Sequence, residues 1–184
     1  MLYFVTSNIS KFEEVKKIFT IYQIPLKRIN IDLPEIKSLH PEEVIIDKAK
    51  KAYQILKKPL IVDDTGIFFS NYYKFPGTIS RFIFITLGFK GIFKLIKKDQ
   101  PAYFATYLAY IGSPKEMQIC VGKCFGHLIT KIQGKRRKKM PYDSIFMPRG
   151  ENRTFSQLGI SGKQKYDHRS KAARKLAQYL SKKR

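Results

Sequence analysis

Cysteine and acidic residues are scarce in this 184-residue chain, and long apolar runs are missing. Its two cysteines, Cys120 and Cys124, stand at C-x-x-x-C spacing, which supplies neither a zinc site nor a disulfide framework, so both read as core residues. No apolar run approaches the ~18 residues of a membrane span. The apolar start, Met1 to Val5, is too short for a signal peptide and lacks a basic lead. The chain therefore reads as cytoplasmic, with no membrane partner. Asp and Glu number 14 against 36 Lys and Arg, a net charge of +22. That surplus attracts nucleotides, nucleic acids and acidic lipid alike, and it speaks of encounter rather than of chemistry. P-loop and dinucleotide-binding glycine patterns are absent, as are H-E-x-x-H and G-x-S-x-G, which excludes the function classes they mark.

What is present builds a core. Apolar residues make up 43% and aromatic residues 14% of the chain, and the length fits one domain over residues 1–184. Leu2 to Thr6 reads as a buried strand. A polar turn, Ser7 to Ser10, leads into a helix on which Phe12, Val15, Ile18, Phe19 and Tyr22 share helical spacing, with Glu13 and Glu14 in its first turn. Leu26 to Ile31 suits a second strand. Pro41, Glu42 and Glu43 open a helix that runs to about Lys57. Leu60 to Val62 is a third, continuously apolar strand.

Phe75-Pro76-Gly77 reads as a turn, and Ser80–Leu87 and Ile92–Lys97 as helical. Ala102–Gly112 and Met117–Ile132 lean towards antiparallel strands joined across Gly112-Ser113-Pro114. Lys135 to Lys139 reads as a solvated basic loop, and Arg169 to Leu180 as an amphipathic helix. The order predicts an α/β fold: a mixed or parallel sheet covered by helices.

Three strand ends carry polar clusters, where open α/β sheets gather ligands. Thr6, Ser7, Asn8, Ile9, Ser10 and Lys11 open a helix whose backbone N–H groups can hold phosphate oxygens. Glu35 follows the second strand, and Asp63-Asp64-Thr65-Gly66 the third. Carboxylates beside a phosphate loop repel it unless a cation intervenes, and hard oxygen donors of this kind suit Mg²⁺. Asp63 and Asp64 face opposite ways if the strand continues, so only one of them need aim at the metal. Plainer readings stand beside these: a helix cap at Asn8, a turn at Asp63-Asp64, an exposed loop residue at Glu35.

Together these segments resemble the inosine/xanthosine triphosphate pyrophosphatases, nearly end to end. Thr6 to Lys11 is similar to the family's T-x-N-x-x-K. Asp32-Leu33-Pro34-Glu35 and the helix bearing Lys48-Ala49 match its next block. Leu60 to Gly66 followed by Phe75-Pro76-Gly77 resembles its acidic D-S/T-G … P-G segment. Tyr142-Asp143-Ser144-Ile145-Phe146 resembles F-G-Y-D-P-I-F, and Lys163 with His168-Arg169 resembles K-N-x-x-S-H-R. Met140-Pro141, Ser144, Gln164 and Asp167 depart from the family's residues.

The resemblance implies a central mixed twisted sheet with flanking helices in two lobes around a nucleotide cleft, and hydrolysis of ITP, dITP or XTP to monophosphate and pyrophosphate, with Mg²⁺ as cofactor and a homodimer as the assembly. Asn8 and Lys11 then hold the phosphates, helped by Thr6, Ser7, Lys48 and Thr65. Glu35 and Asp64 take the metal, with Asp63 as helper, and Asp64 activates water. Met140, Pro141, Tyr142, His168 and Arg169 form the base side, Asp143 orders the loop, and Lys163 meets the base or the phosphates. Donors from His168 and Arg169 favour a 6-keto purine over adenine. Tyr72 to Phe89 is the interface candidate, although core packing explains it equally well. The competing reading is a basic nucleic-acid-binding protein on the same fold without pyrophosphatase activity. Its support is the net charge, the Lys135–Lys139 loop and the tail Lys182-Lys183-Arg184.

Overall fold

A computed structural model describes residues 1–183; Arg184 of the basic tail lies outside the described residues. The elements run β1 (Leu2–Val5), α1 (Ile9–Ile21), β2 (Leu26–Ile29), α2 (Pro41–Leu56), β3 (Leu60–Phe69), β4 (Pro76–Gly77), α3 (Ser80–Leu95), β5 (Gln100–Ser113) and β6 (Glu116–Leu128). A 3₁₀ turn at Pro141–Ser144 follows, then β7 (Phe146–Pro148), α4 (Phe155–Lys163) and α5 (His168–Ser181). The strands form one sheet in the order β2-β1-β3-β5-β6-β7, with β4 beside β3. β1 is parallel to both β2 and β3, and the other pairings are antiparallel, so the sheet is mixed. No helix among the described residues is long and apolar enough to cross a membrane.

Side-chain alternation on the strands sorts the core into faces. Ile61 packs with Phe12, Val15, Ile18 and Phe19 of α1 and with Ala173 and Leu176 of α5. Its neighbours Leu60 and Val62 pack on the other face, with Ile45, Ala49 and Ala52 of α2. Beyond Gly66, Ile67 and Phe69 join a third cluster with Phe104, Phe146 and Phe155. The last cluster fills the second lobe.

The sequence predicts that the third strand ends at Val62, whereas β3 continues to Phe69. The reason is long-range: β5 pairs with it from Leu60 to Phe69. On its other side β1 pairs only as far as Val62, and β4 joins only at Ile67 and Phe68. Asp63 to Gly66 therefore lie in a strand with β5 on one flank and no strand on the other. Gly66 is required there, because a Cβ would meet the Gly77 carbonyl oxygen at 2.5 Å.

Other boundaries also shift. The two expected helical segments are both present within α3, separated at the non-helical Gly88 where φ is +57°, and the second ends at Leu95 rather than Lys97. β6 ends at Leu128 rather than Ile132, since Ile129 and Gln133 donate their N–H groups to Ile145 and Ser144. The segment predicted as a turn at Phe75–Gly77 supplies β4. Helix α4 is unanticipated, although Thr154 and Gln157 form a capping box that announces its start.

Candidate active site

The open flank of β3 faces a cleft of about 650 Å³ between the lobes, a size typical of small-molecule sites. One wall is the turn from β1 to α1. Thr6 Oγ1 accepts the Asn8 N–H at 3.2 Å. Asn8 caps the helix, its Oδ1 accepting from the Ser10 and Lys11 N–H groups at 3.0 and 3.4 Å. The turn thus points the positive end of α1 at the cleft.

Asp63 and Asp64 alternate on β3. Asp63 faces α1 and α5, pairing with Lys11 Nζ at 2.9 Å and Arg169 Nε at 3.5 Å. Burial opposes its charge, but Lys11, Arg169 and Lys48 prevail and hold its carboxyl at about 2. Asp64 faces α2. Its Oδ2 is buried and has no hydrogen-bond partner among the described residues. Burial pushes its carboxyl up to about 6; Lys11 and Lys48 oppose the rise, while Glu35 and Asp63 add to it. Glu35 lies on the cleft rim, and its Oε1 accepts from Lys48 Nζ at 2.5 Å. Lys48 Nζ also donates to the Asp63 carbonyl at 3.1 Å.

These donors fit a hard cation. Mg²⁺ usually takes one or two protein carboxylates and fills its shell with water and substrate oxygens. Asp64 offers a free, buried oxygen, and Glu35 a carboxylate shared only with Lys48. Asp63 is committed to two cations and fits less well.

Behind this row lies a buried ionic cluster. Glu14 Oε1 accepts from Lys163 Nζ at 3.3 Å, and its Oε2 from the Arg169 guanidinium. Lys163 also donates to Asp143 at 2.8 Å and sits 4.9 Å above the Phe155 ring. Arg169 reaches Thr65 Oγ1 at 3.2 Å, which in turn meets Thr106 Oγ1 at 2.7 Å. Burial disfavours the Lys163 ammonium, but Asp143 and Glu14 raise its pKa and keep it charged. Burial likewise disfavours the Glu14 carboxylate, and Lys163 and Arg169 pull its pKa below the usual value.

The opposite wall is apolar. Tyr142 is buried edge-on to Phe69 and Phe84, its hydroxyl donating to the Ser80 carbonyl at 3.1 Å. Met140, Pro141, Phe84 and Ile85 line the cleft beside it. His168 stacks on Phe104 with centroids 4.6 Å apart and an interplanar angle of 13°. Burial, then Arg169 and Lys163, lower its pKa well below the usual value, so the ring is neutral. Its Nδ1 is buried without a hydrogen-bond partner among the described residues. Asp167 caps α5 through Ser170 N at 2.7 Å, placing His168 and Arg169 in the first turn. Gly122 of β6 permits this, since a Cβ there would lie 2.0 Å from the His168 carbonyl oxygen.

The structure brings the sequence candidates together with two exceptions. Thr6, Ser7, Asn8, Lys11, Glu35, Lys48, Asp63, Asp64 and Thr65 line the cleft. So do Met140, Pro141, Tyr142, Asp143, Lys163, His168 and Arg169. Ile9 and Ser10 face a shallow depression next to it, and Ile9 is 62% exposed. Sequence reasoning missed Glu14, which it took for a first-turn residue. Helix α1 begins two residues earlier than predicted, at Ile9, and Glu14 is buried. A carboxylate four residues before buried Ile18, on the packed stripe, was the available signal. The Lys135–Lys139 loop, predicted to be merely solvated, places Lys138 and Lys139 on the cleft wall.

The sequence profile of the Ham1 family matches residues 2–179. A dITP/XTP pyrophosphatase of Saccharolobus solfataricus is 37% identical over 178 residues, covering 96% of this chain and 91% of the relative. A dITP/XTP pyrophosphatase of Methanopyrus kandleri is 34% identical, covering 96% and 94%. Among solved structures, a HAM1 protein from Coxiella burnetii superposes with a TM-score of 0.78 at 24% identity, covering 99% of this chain and all of that one. The Staphylococcus aureus Ham1 protein gives 0.76 at 22% identity over the full length of both. The same doubly flanked mixed sheet, matched by sequence along nearly its whole length, places this chain in the Ham1 family.

Proposed function

We propose that this protein hydrolyses ITP, dITP and XTP to the monophosphate and pyrophosphate, removing non-standard purines from the nucleotide pool. The observation that carries the reading is Asp64: a buried carboxylate with a free oxygen and a pKa near 6, beside a helix start suited to phosphate. The names of the relatives point to the same substrates.

Asn8, Lys11 and the α1 N–H groups anchor the polyphosphate. Asp64 takes a proton from a water that attacks the α-phosphorus, and the bond to the bridging oxygen of the pyrophosphate breaks. A base of pKa near 6 is largely ionised at neutral pH and still basic enough to help. Asp63, locked ionised, keeps Lys11 and Arg169 in place and takes no proton: two adjacent carboxyls have been separated by their surroundings. Glu35 and Asp64 are the residues that would hold Mg²⁺, which when bound would supply charge neutralisation for the departing pyrophosphate. The base lies against Met140, Pro141, Phe84 and Tyr142. His168 contributes its unpartnered nitrogen to the 6-keto edge, held by the Phe104 stack, while Arg169 stays fixed by Glu14.

The chain acts as one catalytic unit, since elements from β1 to α5 meet in one cleft, and it works in the cytoplasm, where its nucleotide substrates are. It works as a homodimer through the exposed Tyr72, Tyr73, Phe82 and Leu87, whereas Phe75, Ile83, Phe84 and Phe89 of the same segment pack on the core. Nucleic acid binds only loosely, through the surplus of surface charge. The test is a nucleotide panel with Mg²⁺, scored for pyrophosphate rather than phosphate. ITP, dITP and XTP are expected to release it and ATP to release very little; equal turnover of ATP defeats the assignment.

A further inference from the structure

The segment Lys135 to Lys139 is anchored at four of its five residues. The Ser156 hydroxyl donates to the Lys135 carbonyl. Arg136 lies 5.8 Å over the Phe89 ring. The Met140 N–H closes a turn on the Arg137 carbonyl at 2.9 Å. Lys139 Nζ donates to the Ser7 carbonyl at 2.9 Å, bridging 132 positions to the turn that opens α1. Adjacent ammonium groups repel, so a loop of five basic residues held in one place needs a counter-charge.

The charges of the cleft show what is missing. Seven Lys and Arg side chains and five carboxylates line it. Lys11, Lys48, Lys163 and Arg169 each have a carboxylate partner. Arg81, Lys138 and Lys139 have none among the described residues and are exposed, and of these three only the two lysines adjoin the start of α1. Without these two the lining holds five cations against five carboxylates and has no net pull on an anion. With them it is positive on the side of the α1 start, where Asn8, Lys138 and Lys139 line both the cleft and the depression that adjoins it.

We propose that Lys138 and Lys139 are polyphosphate-binding residues, which grip the phosphate chain over the start of α1 and supply the net attraction that the paired cations of the floor cannot. This deepens the proposed function and rests on it for the identity of the substrate. The recognised chemistry is a linear polyphosphate with several negative charges, as opposed to the base or the sugar. Lys139 exchanges the Ser7 carbonyl for a phosphate oxygen, a stronger charge-assisted bond. Lys138 adds its charge from the rim.

Titration of inorganic tripolyphosphate into the whole protein reads the grip directly. In K138Q/K139Q its Kd is expected to rise about tenfold, given the modest worth of exposed charge pairs, with a flatter salt dependence. IMP, with a single phosphate, is expected to change less than about twofold by the same reasoning. K138R/K139R restores tripolyphosphate binding. K97Q/K98Q, which removes the same charge from exposed positions outside the cleft, leaves it unchanged. With ITP, the loop variant raises KM and spares kcat. Unchanged tripolyphosphate affinity, an equal loss in K97Q/K98Q, or a loss confined to kcat overturns the proposal. If the unsubstituted protein turns over no ITP, the proposed function fails, while the tripolyphosphate comparison still decides the role of the loop.

Discussion

Glu14 and Arg169 form a buried ion pair across 155 positions, joining the second turn of α1 to the first turn of α5. Lys163 shares the same carboxylate, so one acid compensates two buried cations, with Asp143 and Asp63 completing the balance. A cluster of this kind fixes where Arg169 and His168 stand relative to the phosphate turn.

Removing the shared acid leaves two buried cations short of a partner. Glu14→Ala is expected to destabilise the fold by about 3–5 kcal/mol, the usual penalty for breaking a buried pair from one side. Glu14→Gln keeps the shape and some hydrogen bonding, and is expected to lose less. Denaturant unfolding of both variants measures the difference. Equal stability of Glu14→Ala and the parent removes this cluster from the account of how α5 is held.

Asp64 joins activity to acid behaviour. Asp64→Asn is expected to lower kcat about 10²–10⁴-fold, as loss of a general base does. The fold should not suffer, since the native carboxyl is held above its ordinary pKa. The folded state binds the Asp64 proton at about 6 and the unfolded chain at 3.8. This carboxyl therefore weakens the fold at pH 7, and stability rises as pH falls from about 6 to 3.8. Glu14 and Asp63 act with the opposite sign, being held below 4.5 and at about 2. Their support is present above the unfolded values and is lost as pH falls through the folded ones. His168, held neutral well below its ordinary 6.5, opposes this gain as pH falls, so the Asp64 share is read as the difference between the parent and Asp64→Asn, which should grow in the variant's favour as pH rises from about 4 to 6. Unfolding free energy measured from pH 3 to 8 checks both signs.

Gly122 tests the seating of α5. Its absent side chain lets the His168 carbonyl approach β6, and Lys171 and Ala172 crowd the same spot. Gly122→Ala is expected to push the first turn of α5 outward, costing about 1–3 kcal/mol as overpacking does. Nucleotide turnover should fall with it, because His168 and Arg169 ride on that turn. A variant with parental melting temperature and parental kcat/KM means that the helix has room to spare.

Much of the site could be read from the chain order. The β1–α1 turn was legible because capping and phosphate binding use residues within four positions of one another. The opposed facing of Asp63 and Asp64 was legible because it follows from strand alternation. The extent of β3 was not, since only its pairing with β5 carries it past Val62. The basic loop was read as solvent-facing because nothing local reveals that Lys139 meets Ser7.

The sequence by itself determined most of the elements and their order, though neither α4 nor β4, and which strand ends carry acids and which carry a helix cap with a lysine beside it. These are matters of period, caps and alternation, settled within a few residues. Only the tertiary structure decided which acid is free to work. Asp63 and Asp64 are the same residue type on one strand. Asp63 is neutralised by Lys11 from α1 and Arg169 from α5, while Asp64 is buried near Lys48 and Glu35 with an oxygen left over. That difference comes from desolvation and from charges on other elements, as far as 106 positions away at Arg169, which no local pattern encodes.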